Sequence, residues 1–217
     1  MNLENLRINI LGDSITEGAG ASDPSHIYWK LFEINDNSIV HAYGIGGTRI
    51  ARQHTPSEEP QYDRHFITRV PDMDPDADVV FVFGGTNDHG HGDAPLGRFE
   101  DRTDDTFYGA LHNLFLALIN KYPTSTIVVM TPLHRTGEND YINGFGVRNT
   151  GTLKDYVDII IEVASYYALP IIDLYRTSGM QPEIPLLREM YNPDGLHPND
   201  AGHEKIYKIM KAFLTSL

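Results

Sequence analysis

The sequence predicts an α/β protein: a three-layer α/β/α sandwich whose parallel strands are covered by helices on both faces. Three observations carry this. Short aliphatic runs alternate along the whole chain with stretches of helical apolar spacing, the pattern of repeated strand–helix units. The run Ala77-Asp78-Val79-Val80-Phe81-Val82-Phe83 is continuously apolar instead of alternating, which argues burial on both faces of a parallel sheet. No internal repeat, low-complexity run or composition break divides the 217 residues, so one domain spanning 1–217 is expected, long enough for a full core.

The elements follow in order. Leu6 to Leu11 is a short aliphatic run closed by Gly12 and reads as the first strand. His26 to Ile34 has helical spacing at Ile27, Leu31 and Ile34, with Asp23-Pro24 as a start signal. Ser38 to Tyr43 reads as the second strand and ends in the cluster Gly44-Ile45-Gly46-Gly47. Residues 53–76 look irregular, with a short helix expected near Tyr62 to Val70. The third strand, Ala77 to Phe83, ends at Gly84-Gly85-Thr86-Asn87-Asp88, and a polar loop is expected from His89 to about Asp101. Phe107, Ala110, Leu111, Leu114, Phe115 and Leu118 mark one face of a helix that Pro123 stops. Thr126 to Met130 is the fourth strand, followed by a long loop from Pro132 to Asn149. Leu153, Tyr156, Val157, Ile160, Ile161 and Ala164 mark the next helix, and Pro170 to Asp173 the fifth strand. An irregular stretch with Pro182, Pro185 and Pro193 leads to a last helix from about Asp200, with Ile206, Ile209, Met210 and Phe213 facing inward.

Composition removes several classes of function. Net charge is −13, from 17 basic and 30 acidic residues, and no Lys/Arg cluster is present. A nucleic-acid partner or an anionic membrane surface is therefore not expected. The absence of cysteine removes disulfides, thiolate catalysis and zinc–thiolate sites. The N-terminal residues lack a basic region followed by a long apolar run, and no stretch approaches the length of a membrane span. The reading is of a cytoplasmic protein without a signal peptide or membrane span.

The chemistry is concentrated at strand ends. The stretch Gly12-Asp13-Ser14 closes the first strand and presents a hydroxyl at the carboxyl edge of the sheet, where open α/β folds bind ligands. Ser14 is the candidate nucleophile. A serine hydroxyl needs a base to remove its proton, and imidazole suits that task. His197 is the candidate, held towards an extended backbone by Pro198. Asp194, three residues earlier across a turn that Gly195 permits, can accept from one ring nitrogen and leave the other to face Ser14. Attack on an ester develops an oxyanion, which fixed donors stabilise. The backbone N–H of Ser14, that of Gly47 (the better placed of Gly46 and Gly47) and the side-chain amide of Asn87 are the candidates.

Gly12-Asp13-Ser14, Gly44-Ile45-Gly46-Gly47, Gly85-Thr86-Asn87-Asp88 and Asp194-Gly195-Leu196-His197-Pro198 resemble the four signature blocks of the SGNH (GDSL-type) hydrolases, in that family's order and across nearly the whole chain. The resemblance implies a flavodoxin-like five-stranded parallel sheet of order 2-1-3-4-5, and serine esterase, lipase or acetyl-esterase activity without a cofactor. It implies the same roles for Ser14, Gly47, Asn87, Asp194 and His197. One departure is visible: many members carry Asn just before the glycine block, where Ala42-Tyr43 stand, and an effect on pocket shape is expected.

Structural readings of the same residues compete. Ser14 with Glu17 fits an S-x-x-E capping box. Gly44 to Gly47 fits a tight turn, Asn87 or Asp88 a helix cap, and Asp194-Gly195 an ordinary turn. Their coincidence in this order favours catalysis. The nucleophile elbow G-x-S-x-G of α/β-hydrolases does not fit, because Thr16 occupies its last glycine position. His89, His91 and Asp93 could ligate zinc, but on a glycine-containing loop without helical spacing a solvated or substrate-lining role is favoured and no metal is expected. Trp29, Tyr141 and Phe145 read as packing residues. The expected function is hydrolysis of small, short-chain esters such as an acetylated sugar. Lysophospholipase or thioesterase activity is the enzymatic alternative, and a non-catalytic carbohydrate-binding domain is the alternative from another class.

Overall fold

The computed structural model describes residues 1–140 and 150–217. Five strands form one parallel sheet: β1 (Arg7–Gly12), β2 (Ile39–Gly44), β3 (Val79–Phe83), β4 (Thr126–Met130) and β5 (Ile171–Ile172). Their order is β2-β1-β3-β4-β5, as the resemblance implies. The eight α-helices of the described residues are α1 (Ser14–Glu17), α2 (Lys30–Asp36), α3 (Thr86–His91), α4 (Phe107–Lys121), α5 (Leu153–Tyr166), α6 (Leu174–Thr177), α7 (Pro185–Tyr191) and α8 (Asp200–Ser216).

Alternation within each strand splits the core into two layers. Ile8, Ile10, Val79, Phe81, Val128 and Met130 pack with Phe32 of α2 and Ile206, Met210 and Leu214 of α8. Leu11, Val80, Val82, Ile127 and Val129 pack on the other face with Leu111, Leu114 and Phe115 of α4 and Tyr156, Ile160 and Val163 of α5. The continuous apolar run of β3 serves both layers, so all five of its residues are buried. Burying one such side chain contributes about 1.5–3 kcal/mol. Among the described residues no helix is long and apolar enough to cross a membrane.

Helix ends follow local chemistry. The Thr106 hydroxyl accepts from the Gly109 N–H at the start of α4, and Thr152 with Asp155 forms a capping box at the start of α5. Asn199 caps α8 by accepting from Gly202 N–H.

Several expectations need correction. The helix expected from His26 begins at Lys30, because Pro24–His26 forms a 3₁₀ turn capped by Asp23 and Ile27 is extended. That shift of register buries Tyr28 and Phe32 and leaves Ile34 exposed. The short helix expected near Tyr62 to Val70 is present as two 3₁₀ segments, Pro60–Asp63 and Phe66–Asp72. In α5 the buried positions include Ile159 and Val163, while Ile161 is only half-buried. In α8, Tyr207 and Leu214 are buried, and Ile209 and Phe213 are half-buried. The stretch with Pro182, Pro185 and Pro193 contains α7, with Pro185 in its first turn, where a missing N–H costs nothing. Tyr141 and Phe145 lie outside the described residues; Trp29 is half-buried and donates its Nε1–H to the Thr16 carbonyl at 2.8 Å.

The register positions the site. Gly12 at the end of β1 lies opposite Gly44 of β2 and Phe83 of β3. The loops after these three strands therefore leave the sheet side by side, at the switch point where the chain order reverses.

Candidate active site

Ser14 opens α1 immediately after β1. The cap of that helix is Asp13, whose carboxylate accepts from Ile15 N–H at 3.0 Å. Ser14 is thus not the cap, and its hydroxyl is free for another partner. Glu17 does not complete a capping box; its Oε2 accepts from Gly46 N–H at 2.9 Å and ties α1 to the glycine loop.

The partner of Ser14 is His197. Ser14 Oγ lies 3.1 Å from His197 Nε2. His197 Nδ1 lies 2.7 Å from Asp194 Oδ2. A carboxylate only accepts, so the proton sits on Nδ1 and Nε2 is left as the acceptor facing Ser14. Asp194 is fixed in turn: its Oδ1 accepts from the backbone N–H groups of Leu196 at 2.8 Å and His197 at 2.7 Å. Gly195 makes this turn possible with φ +84°, a conformation in which a side chain would also meet Thr136. Burial pulls the Asp194 carboxyl upward, but the two N–H bonds and the His197 ring outweigh it and hold it below the usual carboxylate range.

The same cleft contains the expected donors. Ser14, Gly46, Gly47, Asn87 and His197 line a depression of about 330 Å³, together with Glu17, Gln61, Tyr62, His91, Arg135 and Leu196. Gly47 has φ +74°, and the Tyr62 ring sits where its side chain would be, 2.2 Å from an ideal Cβ. Asn87 follows Thr86 in the first turn of α3, whose cap is Gly85, so neither Asn87 nor Asp88 is a cap. One Asn87 amide N–H donates to the Thr48 carbonyl at 3.0 Å, which orients the side chain and leaves its second N–H for another acceptor. Asp88 is buried beneath the same loop. Its two oxygens accept from Ile50 N–H and Ala51 N–H, each at 2.9 Å. Burial pushes its carboxyl up to about 6 against those bonds.

Two buried arginines brace the loops. Arg69 donates to the carbonyls of Gly12 (3.0 Å) and Tyr43 (2.7 Å) and to the Thr48 hydroxyl (3.1 Å), linking the ends of β1 and β2 to the glycine loop. Burial lowers its pKa to about 10. Arg49 donates to His91 Nδ1 at 2.7 Å and pairs with Asp63 at 2.9 Å, which holds residues 57–63 and hence Tyr62 over Gly47. Burial, then the charges of Arg49 and Arg135, press His91 down to about 4, so this second cleft histidine stays neutral.

Other sequence expectations change here. Ala42 and Tyr43 are not among the residues lining this cleft; the Tyr43 hydroxyl instead accepts from Asp74 N–H at 2.7 Å. The expected polar loop from His89 is helical as far as His91, and His89 is buried. Asp93 turns away to accept from His54 N–H and Thr55 N–H, each at 2.7 Å. Among the described residues no group of three or more His, Asp or Glu side chains is arranged to hold a metal ion. Sequence reasoning missed Glu17, Tyr62 and Arg135. Arg135 was the most accessible of these, since it lies just past β4 at the same sheet edge as the other site residues.

The α/β/α sandwich thus brings Ser14, His197 and Asp194 into one hydrogen-bonded chain at the carboxyl edge of its sheet. The GDSL-like lipase/acylhydrolase family matches residues 10–205, and the chain belongs to that family of ester-hydrolysing enzymes. Among solved structures it is similar to a Lactobacillus plantarum protein, with 33% identity, coverage of 98% of both chains and a TM-score of 0.82. It shares its fold with a member of the lipolytic G-D-S-L family from Veillonella parvula (17% identity, 98% of this chain and 100% of that chain, TM-score 0.64). It also shares its fold with a two-domain esterase active on acetylated mannans (21% identity, 98% of this chain and 50% of that chain, TM-score 0.60). No match is found among curated proteins.

Proposed function

We propose that this chain is a serine esterase that cleaves short-chain carboxylic esters through an acyl-enzyme. The observation that carries the reading is the contact chain Ser14 Oγ–His197 Nε2–Asp194, at 3.1 and 2.7 Å, in a cleft also lined by Gly47 and Asn87. Ser14 Oγ attacks the carbonyl carbon while His197 Nε2 takes its proton. Asp194 holds the ring in the required tautomer and stabilises the imidazolium. Negative charge on the former carbonyl oxygen is met by the N–H groups of Ser14 and Gly47 and by the free N–H of Asn87. Each such donor is worth about 3–4 kcal/mol at the transition state. The intermediate collapses, the C–O bond to the alcohol breaks, and His197 returns the proton to the leaving oxygen. Water then repeats the sequence on the acyl-serine and releases the acid.

The cleft favours a small acyl group. Its volume of about 330 Å³ is at the lower end for small-molecule sites, and most of its lining side chains are polar. An acetyl ester of a carbohydrate is the favoured substrate, and the shared fold with an esterase active on acetylated mannans supports testing it. The test is hydrolysis of p-nitrophenyl esters from acetate to octanoate by wild type and Ser14→Ala, with and without a chelator. Activity peaking at the shortest chains, unaffected by chelation and abolished in Ser14→Ala is expected. Activity that persists in Ser14→Ala overturns the mechanism.

A further inference from the structure

Arg135 sits at the cleft wall, and among the described residues most of its hydrogen-bonding capacity is unused. It is half-buried and lines the cleft beside Ser14, Asn87 and His197. Its side-chain hydrogen bonds among the described residues come from Nη1, to the Thr86 carbonyl at 2.9 Å and the Thr86 hydroxyl at 3.2 Å. Among the described residues no carboxylate pairs with it, and residues 141–149 contain no Asp or Glu. The other half-buried or buried arginines among the described residues compare differently: Arg7 pairs with Asp76 and Asp78, Arg49 has Asp63, and Arg69 has three oxygen acceptors. A guanidinium carries five N–H donors in a planar fork matched to a carboxylate.

We propose that Arg135 recognises an acid group on the substrate, so that the preferred esters carry a carboxylate close to the scissile carbonyl. This rests on the reading of Ser14 as nucleophile. The overall charge of −13 opposes an anionic substrate only weakly at contact range, because exposed charges are screened beyond about 8 Å at physiological salt. The carboxylates of the cleft are already engaged: Glu17 accepts from Gly46 N–H on the glycine-loop side, and Asp194 holds His197. Arg135 lines the cleft with its Nη1 in the space beside Gly90 of α3, where the charges of Asp13 and Asp194 act on it without forming an ion pair. The bonds to Thr86 hold the guanidinium in place before a ligand arrives, which lowers the ordering cost of binding. Burial lowers its pKa but leaves it cationic at any working pH.

The test compares kcat/KM for mono-p-nitrophenyl succinate with that for p-nitrophenyl pentanoate, a neutral ester of similar length. A second arm compares O-acetyl-lactate with its methyl ester, placing the carboxylate in the alcohol. Wild type is expected to favour the anionic member of one pair by about tenfold or more, the worth of ~1.4 kcal/mol of charge-assisted bonding. In Arg135→Gln that ratio falls to about one, Arg135→Lys keeps part of it, and Arg135→Glu reverses it. A wild-type ratio near or below one in both pairs overturns the inference. So does an equal loss on both members of a pair in Arg135→Gln, which would mark Arg135 as a general brace. Calorimetry of monomethyl succinate with Ser14→Ala keeps the two readings apart. Binding that Arg135→Gln abolishes supports the inference even where no ester is hydrolysed, and absence of binding overturns it even where neutral esters are.

Discussion

Gly47→Ala perturbs the proposed oxyanion site at the point where geometry allows least. Gly47 has φ +74°, and three atoms of the Tyr62 ring lie 2.2–2.7 Å from where a Cβ would be. The left-handed conformation costs an alanine about 1–2 kcal/mol. Ordinary contact with the ring requires a separation of about 3.5–4 Å, so Tyr62 must move by more than 1 Å. Overpacking of that kind costs about 1–3 kcal/mol. The sum, about 2–5 kcal/mol, lowers Tm by about 4–20 °C at 2–4 °C per kcal/mol for a chain of this size. If the loop relaxes by rotating the peptide, the Gly47 N–H leaves the oxyanion position and kcat falls by about 10²–10³. Clash and strain separate in a double-mutant cycle with Tyr62→Ala. That change removes the ring, so it should return the overpacking part, about 1–3 kcal/mol, and none of the backbone part. Urea unfolding and p-nitrophenyl acetate hydrolysis on the four variants give both quantities. A Gly47→Ala protein with wild-type stability, or a cycle with no coupling, refutes the packing of Tyr62 over Gly47.

Two further outcomes follow from the charged groups. In Asp194→Asn the amide donates to Nδ1, moves the ring proton to Nε2 and removes the acceptor facing Ser14. We expect kcat to fall by about 10³–10⁴ with the fold retained, checked by circular dichroism beside the rate. Asp13 is buried, and desolvation pushes its carboxyl up to about 6, above the 3.8 of a free side chain, against the bond from Ile15 N–H. A carboxyl raised in the folded state binds its proton there first. Its contribution therefore makes the native state more stable as pH falls from about 6 to about 4, the reverse of an ion-paired carboxylate. Measured by urea unfolding, the stability of wild type relative to Asp13→Asn should rise by up to ~3 kcal/mol between pH 8 and pH 4. A constant difference across that range contradicts the assignment.

Much of the fold was legible because burial imposes periodicity. The unbroken apolar run of β3 signalled a strand covered on both sides, and the 3–4 spacing of α4 located its buried face residue by residue. Legibility failed where local turns shift the register. The 3₁₀ turn at Pro24–His26 moves the start of α2, and Ile34, which shares helical spacing with Ile27, ends up exposed. The candidate site was legible where residues sit at strand ends, since parallel pairing brings the ends of β1, β2 and β3 side by side. The walls were not. Tyr62 and Arg135 reach the cleft from loops whose paths depend on Arg49, Asp63 and Thr86, contacts that join residues far apart in sequence. Asp88 looked like a cap because Asp is common there; its actual partners, Ile50 and Ala51, lie more than thirty residues earlier.

We propose Ser14 as the nucleophile, made reactive by His197. Its most direct measurement is intact-mass and peptide mapping after treatment with an organofluorophosphonate, with residual esterase activity followed in parallel. One phosphonyl group per chain is expected, located on Ser14, with activity lost in step with labelling and no label in Ser14→Ala. If the imidazole 3.1 Å from Ser14 Oγ removes the hydroxyl proton, His197→Ala slows labelling by orders of magnitude. Labelling at another residue with full loss of activity, or unchanged labelling in Ser14→Ala, would contradict it.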